Sequence, residues 1–421
     1  MSENGSPSRR GFLRVALGTG ILAAGGGYGV ARGTEPRSES ATTRAPGTGA
    51  SGQEPFYGAH QGGIATEPQD RVVFGAFDVT STKIEDLVVL LQSWSAAAAR
   101  MASGDQSGPA RTSQDDPPAD TGEAVGLPPG QLTISVGFGP SLFDDRFGVK
   151  ARRPAALVDL PAFPTDALDP TRCGGDLGVQ ACANDPVVAF HAVRNFMRIA
   201  RGTAVLRWSQ QGFGRNSATS PHGATGRNLM GFKDGTKNIA VDNETDLDAF
   251  VWVGDETDQP WMHGGSYGVT RRIRMFIESW DATHLGEQED VFGRRKDTGA
   301  PFTGSHELDH VDLAAAGSSG PMIPADAHIR LAAPATNGGQ KILRRGYHFS
   351  DGADPMTGQL DAGLFFIGYQ KDPRKQFVPI QTRLSDNDAL NEYIEHNGSA
   401  IFAFPPGLRH GGEWYGQALF T

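Results

Sequence analysis

A run rich in β-branched and aromatic residues, Arg71-Val72-Val73-Phe74-Gly75-Ala76-Phe77, is followed at once by Ile84, Leu87, Val88, Leu91 and Trp94 at helical spacing. The first pattern reads as a strand, and the second lays one apolar stripe along a helix that faces a core. Thr82-x-x-Glu85 stands where a capping box would start that helix. The rhythm continues with a strand over 131–138, then Asn184-Asp185-Pro186 set to cap a helix over 187–199 with proline in its first turn, then a strand over 205–208. Strand, helix, strand, helix, strand leaves few ways to bury every apolar face. It predicts an α+β fold built on antiparallel sheet.

The second half repeats the theme, with strands expected at 249–253, 272–279, 342–349, 364–369 and 400–404 and a helix at 388–396. No sequence repeat links the halves, yet they read as structural duplicates. Between the first helix and the second strand, residues 102–129 turn to Gly, Pro, Ser, Asp and Gln, the composition of a long surface loop.

The N-terminus reads Ser8-Arg9-Arg10-Gly11-Phe12-Leu13-Arg14, followed by a mildly apolar, glycine-rich run over 15–30. A twin arginine before such a run is the pattern of a Tat export signal. A membrane span needs about 20 strongly apolar residues, and Gly25-Gly26-Gly27 interrupts this one. The expected organisation is a signal over 1–32, a disordered linker over 33–55, an N-terminal domain over 56–225 and a C-terminal domain over 226–421. The destination is the periplasm, cell envelope or exterior, with no span kept after export. A formal net charge of -10 argues against nucleic acid as a partner. Two cysteines, Cys173 and Cys182, exclude a zinc cage or a disulfide framework. They leave open one local bridge or two free thiols.

Chemistry concentrates in Gly231-Phe232-Lys233-Asp234-Gly235-Thr236-Lys237-Asn238, which sets a carboxylate between glycines and beside two lysines. About a hundred residues on lies Ala327-His328-Ile329-Arg330-Leu331. If extended, it would send His328 and Arg330 to one face. A neutral imidazole can ligate iron, and an arginine beside it can pair with a carboxylate of the same ligand. Past the turn Asn337-Gly338-Gly339, Ile342-Leu343-Arg344-Arg345-Gly346-Tyr347 offers Arg344, with Arg345 facing the other way. Each piece alone has a plain explanation: eleven histidines are present, Asp-Gly-Thr is also a good turn, and paired arginines are often solvated charge.

Together, GFKDGTKN, HIR and LRRGY in this order resemble the dye-decolorising (DyP-type) haem peroxidases, in particular the Tat-exported deferrochelatase/peroxidase subgroup. The resemblance runs from Gly58-x-His60-Gln61-x-Gly63-Ile64 through Gly174-Gly175-Asp176-Leu177 and Ala181-Cys182-Ala183-Asn184-Asp185. It ends at Asp388-Ala389-Leu390-Asn391-Glu392-Tyr393 and Ala400-Ile401-Phe402. It implies two ferredoxin-like domains with antiparallel sheets, arranged like a dimeric α+β barrel, and haem b held mainly by the C-terminal one. It further implies that His328 ligates the iron, that Asp234 is the distal acid and Arg344 the distal arginine, and that Arg330 contacts a propionate. Asp388 would hold the other nitrogen of His328, and Lys233, Gly235 and Thr236 belong to the cofactor-binding set.

The implied partners are H2O2 and small aromatic or dye donors, with a homo-oligomer and iron-uptake components left open. A carboxylate, ordinarily titrating near ~3.9, keeps its base form well below the ~6.5 of a histidine, so turnover is expected to favour acid. Donors too bulky for a peroxide-sized pocket would be oxidised at a surface aromatic, with Tyr347, Tyr369, Tyr393, Trp252, Trp261 and Trp280 as candidates. Competing readings are a haem-handling protein of iron uptake that releases iron from haem, and an α+β binding domain without haem. A chlorite-dismutase-like enzyme shares the fold class, and GFKDGTKN argues against it.

Overall fold

The apolar run that starts the alternation is strand β1, Arg71–Val79, in a computed structural model that describes residues 52–110, 113–214, 224–318 and 320–421. The twin-arginine segment and most of the linker lie outside the described residues. β1 is central to the first half. It pairs antiparallel with β3 (Leu177–Ala183) and β4 (Ala204–Phe213), and β3 pairs with β2 (Thr133–Phe138). Helix α1 (Ile84–Ala102) crosses from β1 to β2, and α2 (Pro186–Ile199) from β3 to β4. The sheet order β4-β1-β3-β2 with these crossovers is the ferredoxin-like arrangement.

Two details differ from expectation. β3 has all seven residues buried, so it lacks the alternation that marks a half-exposed strand. The capping box does not form: α1 starts at Ile84 after Lys83, with no side-chain cap. Instead Ser81 Oγ donates to Asp86 Oδ2 at 2.6 Å and accepts from the Lys83 N–H at 3.1 Å. At α2 the expected cap is present, the Asp185 carboxylate accepting from the N–H groups of Val187 and Val188.

The second half builds the same sheet from β5 (Ser266–Met275), β6 (Tyr347–Ala353), β7 (Leu360–Gln370) and β8 (Ile394–Phe404), in the order β8-β5-β7-β6. Residues 249–253 are not a strand: Asn243 caps helix α3 (Glu244–Phe250), which ends inside that stretch. β5 stops at Met275, and α4 (Ile277–Ala282) and α5 (Leu285–Phe292) follow. The helix expected at 388–396 lies earlier, as α7 (Phe377–Asn387). Asp388 ends it by accepting the Leu390 N–H into a short 3-10 turn, and Ile394 already belongs to β8.

The halves join edge to edge, β2 to β8 at Phe138–Ala403 and β4 to β6 at Phe213–His348, so eight strands close on themselves. Val72, Phe74, Phe365, Ile367, Tyr369 and Phe402 fill the lumen. Trp94, Phe196 and their neighbours pack α1 and α2 outside the first half. A third cluster, made by Met230, Phe232, Met275, Trp280, Val291, Phe292, Leu390 and Tyr393, packs against one end of the second half. Each such side chain stabilises by roughly 1.5–3 kcal/mol when fully buried. Both cysteines are free thiols. Among the described residues no helix is long and apolar enough to cross a membrane.

Candidate active site

Neither chemical segment belongs to the barrel. The acid-bearing run lies in the connection between the halves, and the histidine in the long excursion between α5 and β6. The third apolar cluster draws them together. Phe232 is buried and stacks on Phe292 with ring centroids 4.2 Å apart, while the Trp280 indole N–H donates to the Met230 carbonyl at 3.0 Å. Phe292 in turn meets the His328 ring edge-on at 6.2 Å.

From that anchor the acid loop folds as a tight hairpin: Asn228 N–H to Phe232 O, Gly231 N–H to Asn228 O, and Asp234 N–H to Gly226 O, each 2.9 Å. Gly231 and Gly235 take φ of +85° and +116°, conformations that side-chain-bearing residues rarely adopt. Gly231 also packs against the Lys296 stem, which a Cβ would meet at 2.8 Å.

His328 opens helix α6, His328–Ala332. The segment is therefore not extended, and a helix turns residues two apart to different faces. Arg330 accordingly donates to the carbonyls of Ile323 and Pro324. The reason is local: Ala333 and Pro334 end the helix after five residues, and the carbonyls of the preceding loop receive the guanidinium.

His328 Nδ1 lies 2.6 Å from Asp388 Oδ2, while Asp388 Oδ1 accepts the Leu390 N–H at 2.9 Å. Burial would pull the imidazole pKa down, but the Asp388 carboxylate outweighs it and the net shift is upward. Arg344 opposes that rise and Asp234 adds to it, so all three groups are within electrostatic reach. His328 Nε2 has no hydrogen-bond partner among the described residues. The side chain keeps 32% of its surface open although burial is the largest influence on its proton affinity.

Arg344 sits in the two-residue strand Leu343–Arg344 beside β7. Alternation sends Leu343 and Tyr347 into the lumen and Arg344 outward to the acid loop. Arg345, facing the lumen, is buried and bonds the Thr66 carbonyl and the Gln69 side chain. Arg344 Nη1 donates to Asp234 Oδ1 at 3.3 Å and Nη2 to the Thr236 carbonyl at 3.2 Å. Asn238 clamps the arginine backbone through Arg344 N–H to Oδ1 at 2.9 Å and Nδ2 to Arg344 O at 2.8 Å.

Lys233 and Thr236 both engage Glu307. Lys233 Nζ is 3.3 Å from Glu307 Oε2, and Thr236 Oγ1 donates to Glu307 Oε1 at 2.9 Å. Burial would raise the Glu307 pKa, and hydrogen bonds from Thr225, Thr236 and Lys233 overcome it and hold it low. The sequence offered no periodic or motif signal for Glu307 or for Arg294 beside it, whereas Asn238 lay within the motif. The six aromatic candidates are all buried, from Tyr369 at 0% to Trp252 at 8% exposure, so none is a surface aromatic.

The family described as Dyp-type peroxidase, N-terminal matches residues 61–214, and Dyp-type peroxidase, C-terminal matches 225–409. The chain is 39% identical over 428 residues to Deferrochelatase of Escherichia coli (strain K12), covering 99% of this chain and 98% of that one. A DyP-type peroxidase from Streptomyces coelicolor is similar in structure with a TM-score of 0.81 at 41% identity, over 87% of this chain and 97% of the other. DtpA from Streptomyces lividans, solved as an oxyferrous complex, gives 0.81 and 41% over 88% and 98%.

Proposed function

The chain belongs to the Dyp-type peroxidase family, and from that premise we propose that it binds haem b through His328 and reacts with H2O2 through Asp234 and Arg344. It is an oxidoreductase acting on a peroxide. The observation that carries the residue assignment is the pairing of Asp234 with Arg344 within electrostatic reach of a histidine whose Nδ1 is fixed and whose Nε2 has no partner among the described residues. An iron porphyrin asks for such a histidine, since a carboxylate on Nδ1 fixes the tautomer and strengthens Nε2 as a ligand.

Haem, when bound, supplies the redox centre for peroxide cleavage. Asp234 takes the proton from one oxygen of H2O2 and returns it to the other, so that water leaves. Arg344 stabilises the negative charge that develops between the oxygens, and Asn238 holds the arginine in place. Arg330 is committed to the carbonyls of Ile323 and Pro324 and would have to share its guanidinium to meet a propionate.

The full-length likeness to Deferrochelatase favours a second reading, in which this site holds haem in order to release its iron. One experiment separates the two. Haem-loaded protein is mixed with one equivalent of H2O2 while the Soret band, chelatable iron and free porphyrin are followed. A prompt, reversible Soret change that Asp234→Asn or Arg344→Leu slows by about 100-fold or more, with haem retained, supports the peroxidase. Metal-free porphyrin with iron in solution supports the alternative. Haem binding that survives His328→Ala would defeat both assignments of that residue.

The oxidised donors are small aromatics or dyes. Export by the twin-arginine route to the periplasm or beyond is part of the same reading, supported by Arg9-Arg10 and the run that follows. Full-length chain found only in the cytoplasm on fractionation would contradict it.

A further inference from the structure

Lys233 places a cation one residue from Asp234, yet its ammonium is held elsewhere. It lies 3.3 Å from Glu307 Oε2 and donates to the Thr225 carbonyl at 3.4 Å. The other oxygen of Glu307 accepts from Thr236 Oγ1, so one carboxylate grips side chains on both sides of Asp234. Glu307 is itself fixed: Arg294 Nη1 donates to its carbonyl at 3.0 Å and to the Gly299 carbonyl at 2.7 Å. Lys237 Nζ donates to the carbonyl of the next residue, Leu308, at 2.6 Å. Gly299 presses on the lysine stem, where a Cβ would meet Lys233 Cγ at 2.6 Å.

We propose that Glu307 is a positioning residue for the peroxide reaction, holding Lys233 away from Asp234 so that Arg344 stays the cationic partner of the acid. This rests on the reading of Asp234 as the group that moves the proton. Arg344, His328 and His348 lie within electrostatic range of Asp234, while Lys233 and Arg294 lie within range of Glu307. Released from Glu307, Lys233 would become a second cation on Asp234. The carboxylate would then turn from Arg344 and bind a proton too weakly to serve as an efficient relay.

The test is the second-order rate of the haem-loaded full chain with H2O2 across pH. Glu307→Gln keeps an acceptor for Thr236 and removes the charge that holds Lys233. It should slow the reaction by about tenfold and move the acid limb of the profile to lower pH. Adding Lys233→Gln to it should return both to those of Lys233→Gln alone. A Glu307→Gln profile equal to wild type overturns the proposal. So does a double variant that stays as slow as Glu307→Gln, which would make Glu307 a structural prop. Should Glu307→Gln fail to fold, the double variant against Lys233→Gln alone still decides, a displaced limb between them counting against the proposal. Asp234→Asn separates the two levels: normal reactivity there defeats the reading of Asp234, whereas its loss with Glu307→Gln unchanged defeats only the role of Glu307.

Discussion

Asp388 has both carboxylate oxygens engaged, one on His328 Nδ1 and one on the backbone of the turn it starts. Asp388→Asn keeps one acceptor oxygen, turns the other into an NH2 donor, and removes the charge behind the imidazole. Haem affinity or peroxide reactivity is expected to fall by about 10–100-fold, read as faster haem loss to a scavenger globin and a slower Soret change. An unchanged rate in both would mean that the charge behind the imidazole is not required. The sequence singled out His328, Asp234 and Arg344 through short motifs that set an acid, a histidine and an arginine in order, and Asp388 only through the resemblance those motifs carry. Glu307 and Arg294 were not. They sit in an unpatterned stretch, and only the folded chain shows that Glu307 reaches Lys233 and Thr236 at once.

Among the elements, legibility followed periodicity and residue type. α1, α2 and β7 show a period because one face meets solvent or a different layer, while β1, nearly as buried as β3, was marked by its β-branched and aromatic content. β3, buried on both faces, shows none. α6 is five residues long, too short for a helical period to separate it from an extended run. The loop over 102–129 is tied to α2 by Asp120, whose Oδ1 and Oδ2 lie 2.9 and 3.1 Å from His191 Nε2. Burial would raise the Asp120 pKa, but His191 and the N–H groups of Ser107 and Gly122 hold it at about 2, below the ordinary 3.8. A lowered carboxylate stabilises the fold above its unfolded pKa and loses that contribution as pH falls through its folded one. Asp120→Asn should therefore cost about 2 kcal/mol at neutral pH in urea denaturation, and the gap from wild type should close between about pH 4 and about pH 2. A gap that stays constant with pH would show that packing, rather than charge, ties down the loop.

For the whole molecule, the ferredoxin-like halves were expected and their sheet orders are the same. The sequence does not show how they seal, since each seam rests on a single paired position. Arg345 adds a further tie by reaching from the second half to Thr66 and Gln69 in the first. The lumen is shared: Val72 and Phe74 from one half pack with Phe365, Ile367 and Phe402 from the other, so neither half buries its inner face alone. Chains of residues 52–214 and 224–421 expressed separately should be insoluble or molten, while co-expression should restore a compact particle with a Soret band on size-exclusion chromatography. A soluble, cooperatively melting first half by itself would contradict that dependence. Closing the ring also removes the two free strand rims that an open sheet of this length would carry. With its outer strands turned toward each other, the eight-stranded ring offers a neighbouring copy little edge to zip onto, which guards against fibril growth where copies crowd together.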